Sequence, residues 1–577
     1  MFKEAEDKLN QAIERLTKNY TSPKSGQAHY YLGLALKFQG KYDAAYDALY
    51  KATWSSGFHT AGYYHLAEID CTRGDFETAL KHINRSIATN AWNAKALNLK
   101  SAVLRRLGRF KEATKVASNT LALDTLDFWA GYELYLAKKA AGLKRDAKEA
   151  LNTLKIKSRG EVQSYLETAV DYGNCGLWDE AIQCLRLLVD SNEKEACTHP
   201  MLYYYLGYFC QKKGNTNKAS RYYRTASGMP PDYCFPFRLE TIDVLSSAIN
   251  DNPSDALAPY YLGNLLYDNQ PERAIKEWEK SQALDDSFAT VHRNLGLVYA
   301  RTENNVPKAI AGLEKAVACD KKDPRVYYEL DLLYEAGGVL PQKRLKLLEE
   351  NHRTVIKRDD ALSREISLCV LLQQYDRAIE LLTSRHFHTW EGGGRIHNIY
   401  VDAHLLRGQK KLKGKRYLEA LKDFEAALEY PENLEVGRPK RDRRTCQTHF
   451  FIGTAYEALG DTQKAREYFE KSASVEVGRS EFSYYKGLAF KKLGQEDKAK
   501  RTFDELKESA KTGPAVTFFA KFGEEQAHNI KMANTHYLLG LAYLGKGMQA
   551  EAKAEFEKAL ELNINHLWAR VHLSEMK

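Results

Sequence analysis

Residues Thr535–Asn563 read THYLLGLAYLGKGMQAEAKAEFEKALELN, and this stretch decides the fold. Leu539, Gly540 and Tyr543 share one face of a first helix, and Ala552, Phe556 and Ala559 share one face of a second. Gly545 and Gly547 fall in the turn between them. Gly540 and Ala552 are small, which lets two helices cross closely, and Phe556 fills the space beside them. One helix pair cannot bury its apolar stripe alone, so the unit implies neighbours.

The neighbours stand in the same chain. YYLGLALKFQGKYDAAYDALYKA at 30–52 places Leu32, Gly33, Ala45 and Ala52 at the same offsets, and YHLAEIDCTRGDFETALKHINRS at 64–86 repeats them with Leu66, Ala67, Ala79 and Ser86. The leucines are 66 − 32 = 34 apart and the alanines 79 − 45 = 34 apart; Ala113, Ala147 and Ala181 continue at the same step. The period and the L-G-x2-Y…A-x3-F…A spacing resemble the tetratricopeptide repeat. The expected fold is therefore all-α, an α-α superhelix or solenoid of antiparallel helix pairs.

The repeat runs through most of the chain. Residues 1–228 read as an N-terminal array. Its first segment, 2–18, carries the second-helix spacing without a first helix, which leaves two readings: half a unit of a longer ancestor, or a cap. Pro230, Pro231 and Pro236 then break helix continuity. Residues 229–255 read as a joint with a single helix, and 256–577 as a C-terminal array with a loop insertion at 384–400 and a capping helix at 566–576, where Leu567, Val571 and the Arg570 stem pack back.

The 577 residues carry 85 Lys and Arg against 76 Asp and Glu, a net charge of +9. Mixed signs on exposed helix faces account for that balance, and the densest basic block, RPKRDRR at 438–444, is short, so nucleic acid is not an expected partner. The nine cysteines form no C-x-x-C pair, which fits reduced, buried thiols and a cytoplasmic location. No apolar run approaches the roughly 18 residues of a membrane span. Phosphate-binding glycine loops, H-E-x-x-H and G-x-S-x-G are absent, so neither a cofactor nor enzymatic activity is expected.

The second half carries a narrower resemblance. The stretches PPDYCFPFRLETIDVLSSAINDNPSDALAPYYLGNLLYDNQPERAIKEWEKSQALDDSFATVHRNLGL, RHFHTWEGG, YVDAHLLRGQ and FEAALEYPENLEVGRP resemble the repeat region of large bacterial proteins whose N-terminal half is a β-rich, galactose-mutarotase-like domain. The resemblance covers 230–577 and implies a link to carbohydrate metabolism. No such domain precedes Met1, so the implied role is that of an accessory working with a separate mutarotase-like partner, or binding glycan itself. Gly394 and Arg395 stand where relatives carry a longer acidic-glycine turn.

Two groups of residues are candidates for contact. The fifth position of the first helix holds Tyr30, Tyr64, Tyr132, Tyr204, Tyr260, Tyr328, Phe450, Tyr484 and Tyr537. In tetratricopeptide proteins this position resembles a groove-facing one, and tyrosine offers a flat apolar ring and a hydroxyl to a peptide or sugar. The same rings also suit packing between helices. The second group is the loop with His386, His388, Trp390, Glu391 and His397. Three readings stand for it: a structural plug, a Trp–Glu contact to a sugar, and a metal site, which the ligand spacing favours least; no metal is assigned. The expected function is a non-catalytic scaffold that holds a protein or peptide partner in its concave face. Lys and Asn clamps for acidic chaperone tails are not matched, since the fifth position is aromatic and only Asn264 fits at the ninth.

Overall fold

The computed structural model describes residues 2–19, 23–191, 198–388, 395–511 and 524–576. Among them are 32 α-helices and no strand. Apart from the first helix, the last, a lone helix at Glu240–Asp251 and a single turn at His352–Val355, the helices form antiparallel pairs. Two compact units divide the chain, Met1–Asp286 and Ser287–Lys577. The 229–239 segment lies inside the first unit as extended chain that exposes Tyr233, Phe235 and Phe237.

Two local rules build each pair. A side chain on the small residue of the first helix would collide with the large residue of the second. A Cβ on Gly540 would lie 2.5 Å from the Phe556 ring, and one on Gly207 would lie 2.5 Å from Tyr223. The turns use left-handed glycines: Gly40, Gly74, Gly108, Gly142 and Gly176 all have positive φ and follow one another at the repeat period. Side-chain caps from Asp75, Asn93 and Asp127 start the following helices by accepting backbone N–H bonds from Thr78, Ala96 and Ala130. The resulting core is continuous from pair to pair, with Ala45, Ala79, Ala113 and Ala181 fully buried at one register position.

The capping helix of the second unit runs Leu567–Glu575, and Leu567, Trp568 and Val571 pack against the core formed by residues 313–455. The eight described cysteines are all free thiols, and every one except Cys319 is buried. No helix among the described residues is long and apolar enough to cross a membrane.

Candidate functional site

Seven of the nine ladder rings are buried: Tyr64, Tyr132, Tyr204, Tyr260, Phe450, Tyr484 and Tyr537. Tyr30 and Tyr328 are half-buried. Tyr132 meets Tyr172 edge-on, Tyr204 meets Tyr261 edge-on, and Tyr537 lies against Phe556. The Tyr204 hydroxyl donates to Asp255 at 2.8 Å in full burial. The half-buried Tyr30 ring instead reaches His65, 3.2 Å from its hydroxyl.

The burial of Tyr64 and Tyr132 has a specific cause. Helix Val162–Asn174 folds back across the inner face of the first unit, so that a Cβ on Gly176 would lie 3.1 Å from the Thr72 backbone. Ion pairs hold it there. Lys95 bonds Asp171 at 2.9 Å, across 76 residues of chain. Arg105 grips Glu133 through two bonds of 2.9 and 3.0 Å and reaches Glu180 at 3.2 Å, across 75 residues. The Tyr172 hydroxyl donates to Glu133, which is fully buried. Arg238 bonds Glu167, and Asn174 donates to Glu240 at 3.1 Å.

Burial and charge partners on this face move acid strengths in opposite directions. Burial pushes Glu68 up, but Lys37 and His65 outweigh it and hold that carboxyl down at about 2. Burial of Asp171 prevails over its Lys95 partner and raises it to about 6.

A cleft of about 490 Å³ remains open beside this packing. Its walls come from both ends of the first unit: Lys37, Phe38 and Tyr42 on one side, Trp178, Tyr208 and Lys212 in the middle, Glu240 and Asp243 on the other. The cleft thus offers partly exposed rings with both signs of charge. Of the sequence-level candidates, none lines it directly; Tyr30 touches it through His65.

The segment expected as a loop at 384–400 separates into distinct parts, and from Arg395 onward it is the start of a helix, Arg395–Lys413. Trp390 and Glu391 lie outside the described residues. His397 is buried, stacks on Tyr430 with ring centres 3.8 Å apart, and donates from Nε2 to the Glu429 carbonyl at 2.9 Å. Desolvation lowers its basicity, which suits a neutral, structural imidazole. His386 and His388 are exposed and converge on Glu435, a residue that sequence spacing did not single out. Its only sequence signal is its place in PENLEVGRP.

The second unit closes its own inner face differently. Arg344, 1% exposed, is clamped to Asp331 by bonds of 2.8 and 2.9 Å and donates to Asn565 at 2.8 Å, across 221 residues. Arg364 also bonds Asp331 and Glu335. Trp568 donates its indole N–H to Asp402 at 2.7 Å, and Lys413 bonds Glu575 at 2.9 Å.

With this geometry in place, comparison with known proteins becomes informative. Residues 2–56, 202–233, 447–476, 481–511 and 533–566 match family models described as tetratricopeptide repeat. These segments are tetratricopeptide repeats. Among solved structures, the chain is similar to yeast Tom70, at 17% identity over 82% of this chain and 96% of that one, with a TM-score of 0.23. It is similar to the tetratricopeptide domain of P58(IPK) at 13% identity over 84% and 97%, TM-score 0.22. It is also similar to a Naa15/Naa10 structure bound to HypK, at 13% identity over 98% and 93%, TM-score 0.22.

Proposed function

We propose that the chain is a non-catalytic scaffold whose first unit holds an extended protein segment in the cleft walled by Phe38, Tyr42, Trp178, Tyr208 and Lys212. The observation that carries this reading is the cleft itself. It puts half-buried aromatic rings beside Lys37 and Lys212 on one hand and Glu240 and Asp243 on the other. Rings supply contact area at low entropic cost, and paired charges fix direction and register. The repeats support the same reading, since stacked helix pairs present extended binding surfaces rather than reaction chemistry.

The ladder contributes to this reading indirectly. Its buried rings pack between helices and do not line the cleft, while Tyr30 in the first unit and Tyr328 in the second are the members with surface to offer. A finer reading rests on the resemblance of 230–577: the partner is a separately encoded mutarotase-like protein, and the scaffold serves carbohydrate metabolism.

Affinity capture from the native cell tests the proposal. Bait carrying Trp178→Ala with Lys212→Glu, checked by a thermal melt for intact folding, is expected to lose the partner that wild-type bait retains. Equal recovery by a folded double variant refutes the cleft as the site. Identification of the captured protein by mass spectrometry decides the finer reading.

A further inference from the structure

We propose that His386, His388 and Glu435 form a binding site for a divalent transition-metal ion, zinc foremost. The argument begins with the backbone. Residues 386–388 follow a bend at Arg385 and lie outside any helix, and their side chains alternate between core and solvent. Phe387 points into the core and is 1% exposed, so His386 and His388 are both turned to solvent. Their ring centres are 4.9 Å apart.

The carboxylate arrives from a second segment that is locked to the first. The Phe387 N–H donates to the Asn433 carbonyl at 2.7 Å. The Asn433 side chain returns two bonds of 2.8 Å, to the carbonyls of Leu382 and Arg385. Leu434 is buried beside it, and Glu435 takes a left-handed conformation with φ of 49°. Asp359 fixes the far end by accepting the His388 N–H at 2.9 Å and the Arg385 guanidinium at 2.7 Å. The backbone that carries each ligand is thus pinned beside a buried anchor, Phe387 or Leu434, which limits how far the three side chains can separate.

The distances suit one ion. Glu435 Oε1 lies 2.6 Å from His386 Nε2 and 3.6 Å from His388 Nδ1, and one donor atom from each of the three residues fits within 4.8 Å of the others. Tetrahedral zinc with bonds of about 2.0–2.2 Å places neighbouring ligand atoms roughly 3.3 Å apart, between those two values. Two imidazoles and a carboxylate favour zinc, nickel, cobalt or copper over calcium and magnesium, which take all-oxygen shells. Three protein ligands leave coordination positions for water or for a donor brought by a bound molecule. The mutual hydrogen bond of His386 and Glu435 holds the pair together without an ion and is replaced when one binds.

The test uses the full chain, stripped with chelator and titrated with zinc alone by calorimetry and with cobalt alone by absorption. Wild type is expected to bind one equivalent, with cobalt bands of nitrogen and oxygen ligation and no thiolate charge transfer. His388→Ala and Glu435→Gln are expected to weaken binding at least about tenfold, since each removes one of three ligands. All three side chains are exposed, so the variants keep the wild-type melt without metal. Failure of wild type to bind, a thiolate band, or unchanged affinity in both variants overturns the proposal.

Discussion

The two units shut the same kind of inner face with different parts. The first uses an internal repeat: Val162–Asn174 and Trp178–Val189 turn inward, pinned by Lys95 and Arg105 from an earlier repeat and by Arg238 from the 229–239 segment. The second uses its own end: Asn565, Trp568 and Glu575 return to Arg344, Asp402 and Lys413. The first solution leaves a cleft of about 490 Å³, the second one of about 240 Å³ beside Arg344 and Asn565. A solenoid closed from within keeps room at its rim. A solenoid closed by its cap fills that room with the cap.

The largest expected effect separates the two closures. Arg344→Ala takes two bonds from Asp331, itself 1% exposed, leaves it to Arg364 alone and cuts the tie to Asn565. Breaking a buried pair by removing one partner costs about 3–5 kcal/mol. Hydrogen exchange should therefore loosen the second unit while leaving residues 27–123 protected. Arg105→Ala should do the reverse in the first unit, leaving the buried Glu133 with the Tyr172 hydroxyl alone and Glu180 with Arg106. If either variant loosens both units equally, the comparison fails.

Gly540→Val comes next, at about 1–3 kcal/mol for overpacking. The branched side chain would meet Phe556 2.5 Å from its first atom, at the pair that carries the cap. Faster exchange in Gln549–Leu562 together with weaker docking of Leu567–Glu575 is the expected pattern. Loosening confined to the first unit would contradict it.

The smallest effect is a pH signature of the inward repeat. Asp171 is raised to about 6, above its usual range, so the folded state holds the proton more tightly than the unfolded chain. Stability at this site is present at low pH and falls as pH rises through about 6, by about 1 kcal/mol between pH 5 and 7. Asp171→Asn removes that slope, so its melting temperature should gain on wild type from pH 5 to pH 7. Glu68 has the opposite sign: its contribution is present above the ordinary carboxylate range and is lost as pH falls towards 2. A melting difference between Asp171→Asn and wild type that stays flat with pH means Asp171 is not buried as the packing requires.

The repeat was legible because its causes are local. Gly540 opposite Phe556, and Gly207 opposite Tyr223, are contacts within one helix pair, and the left-handed glycines between helices recur with the same step. The inner faces were not legible, because Lys95–Asp171 and Arg344–Asn565 join residues that no periodic pattern relates. Curvature accumulated over several pairs brings them together. The tyrosine ladder shows the consequence. Its register is visible in the sequence, but whether Tyr64 and Tyr132 meet solvent depends on the helix Val162–Asn174, which lies in later repeats, and Tyr172 covers Tyr132. Glu435 escaped for the same reason, since Asn433 and not spacing carries it to His386.

The tie between Arg344 and Asn565 also sets an order of events on the ribosome. Arg344 emerges 221 residues before its partner, with Asp331 already beside it and the helix pairs between them still to be made. Those pairs fold on local contacts, which form quickly, whereas the long closure waits for the segment that carries Asn565. During synthesis the inner face of the second unit therefore stands open, with Leu368 and Leu371 uncovered where Leu567 will sit. It closes only once Asn565 is free to reach Arg344.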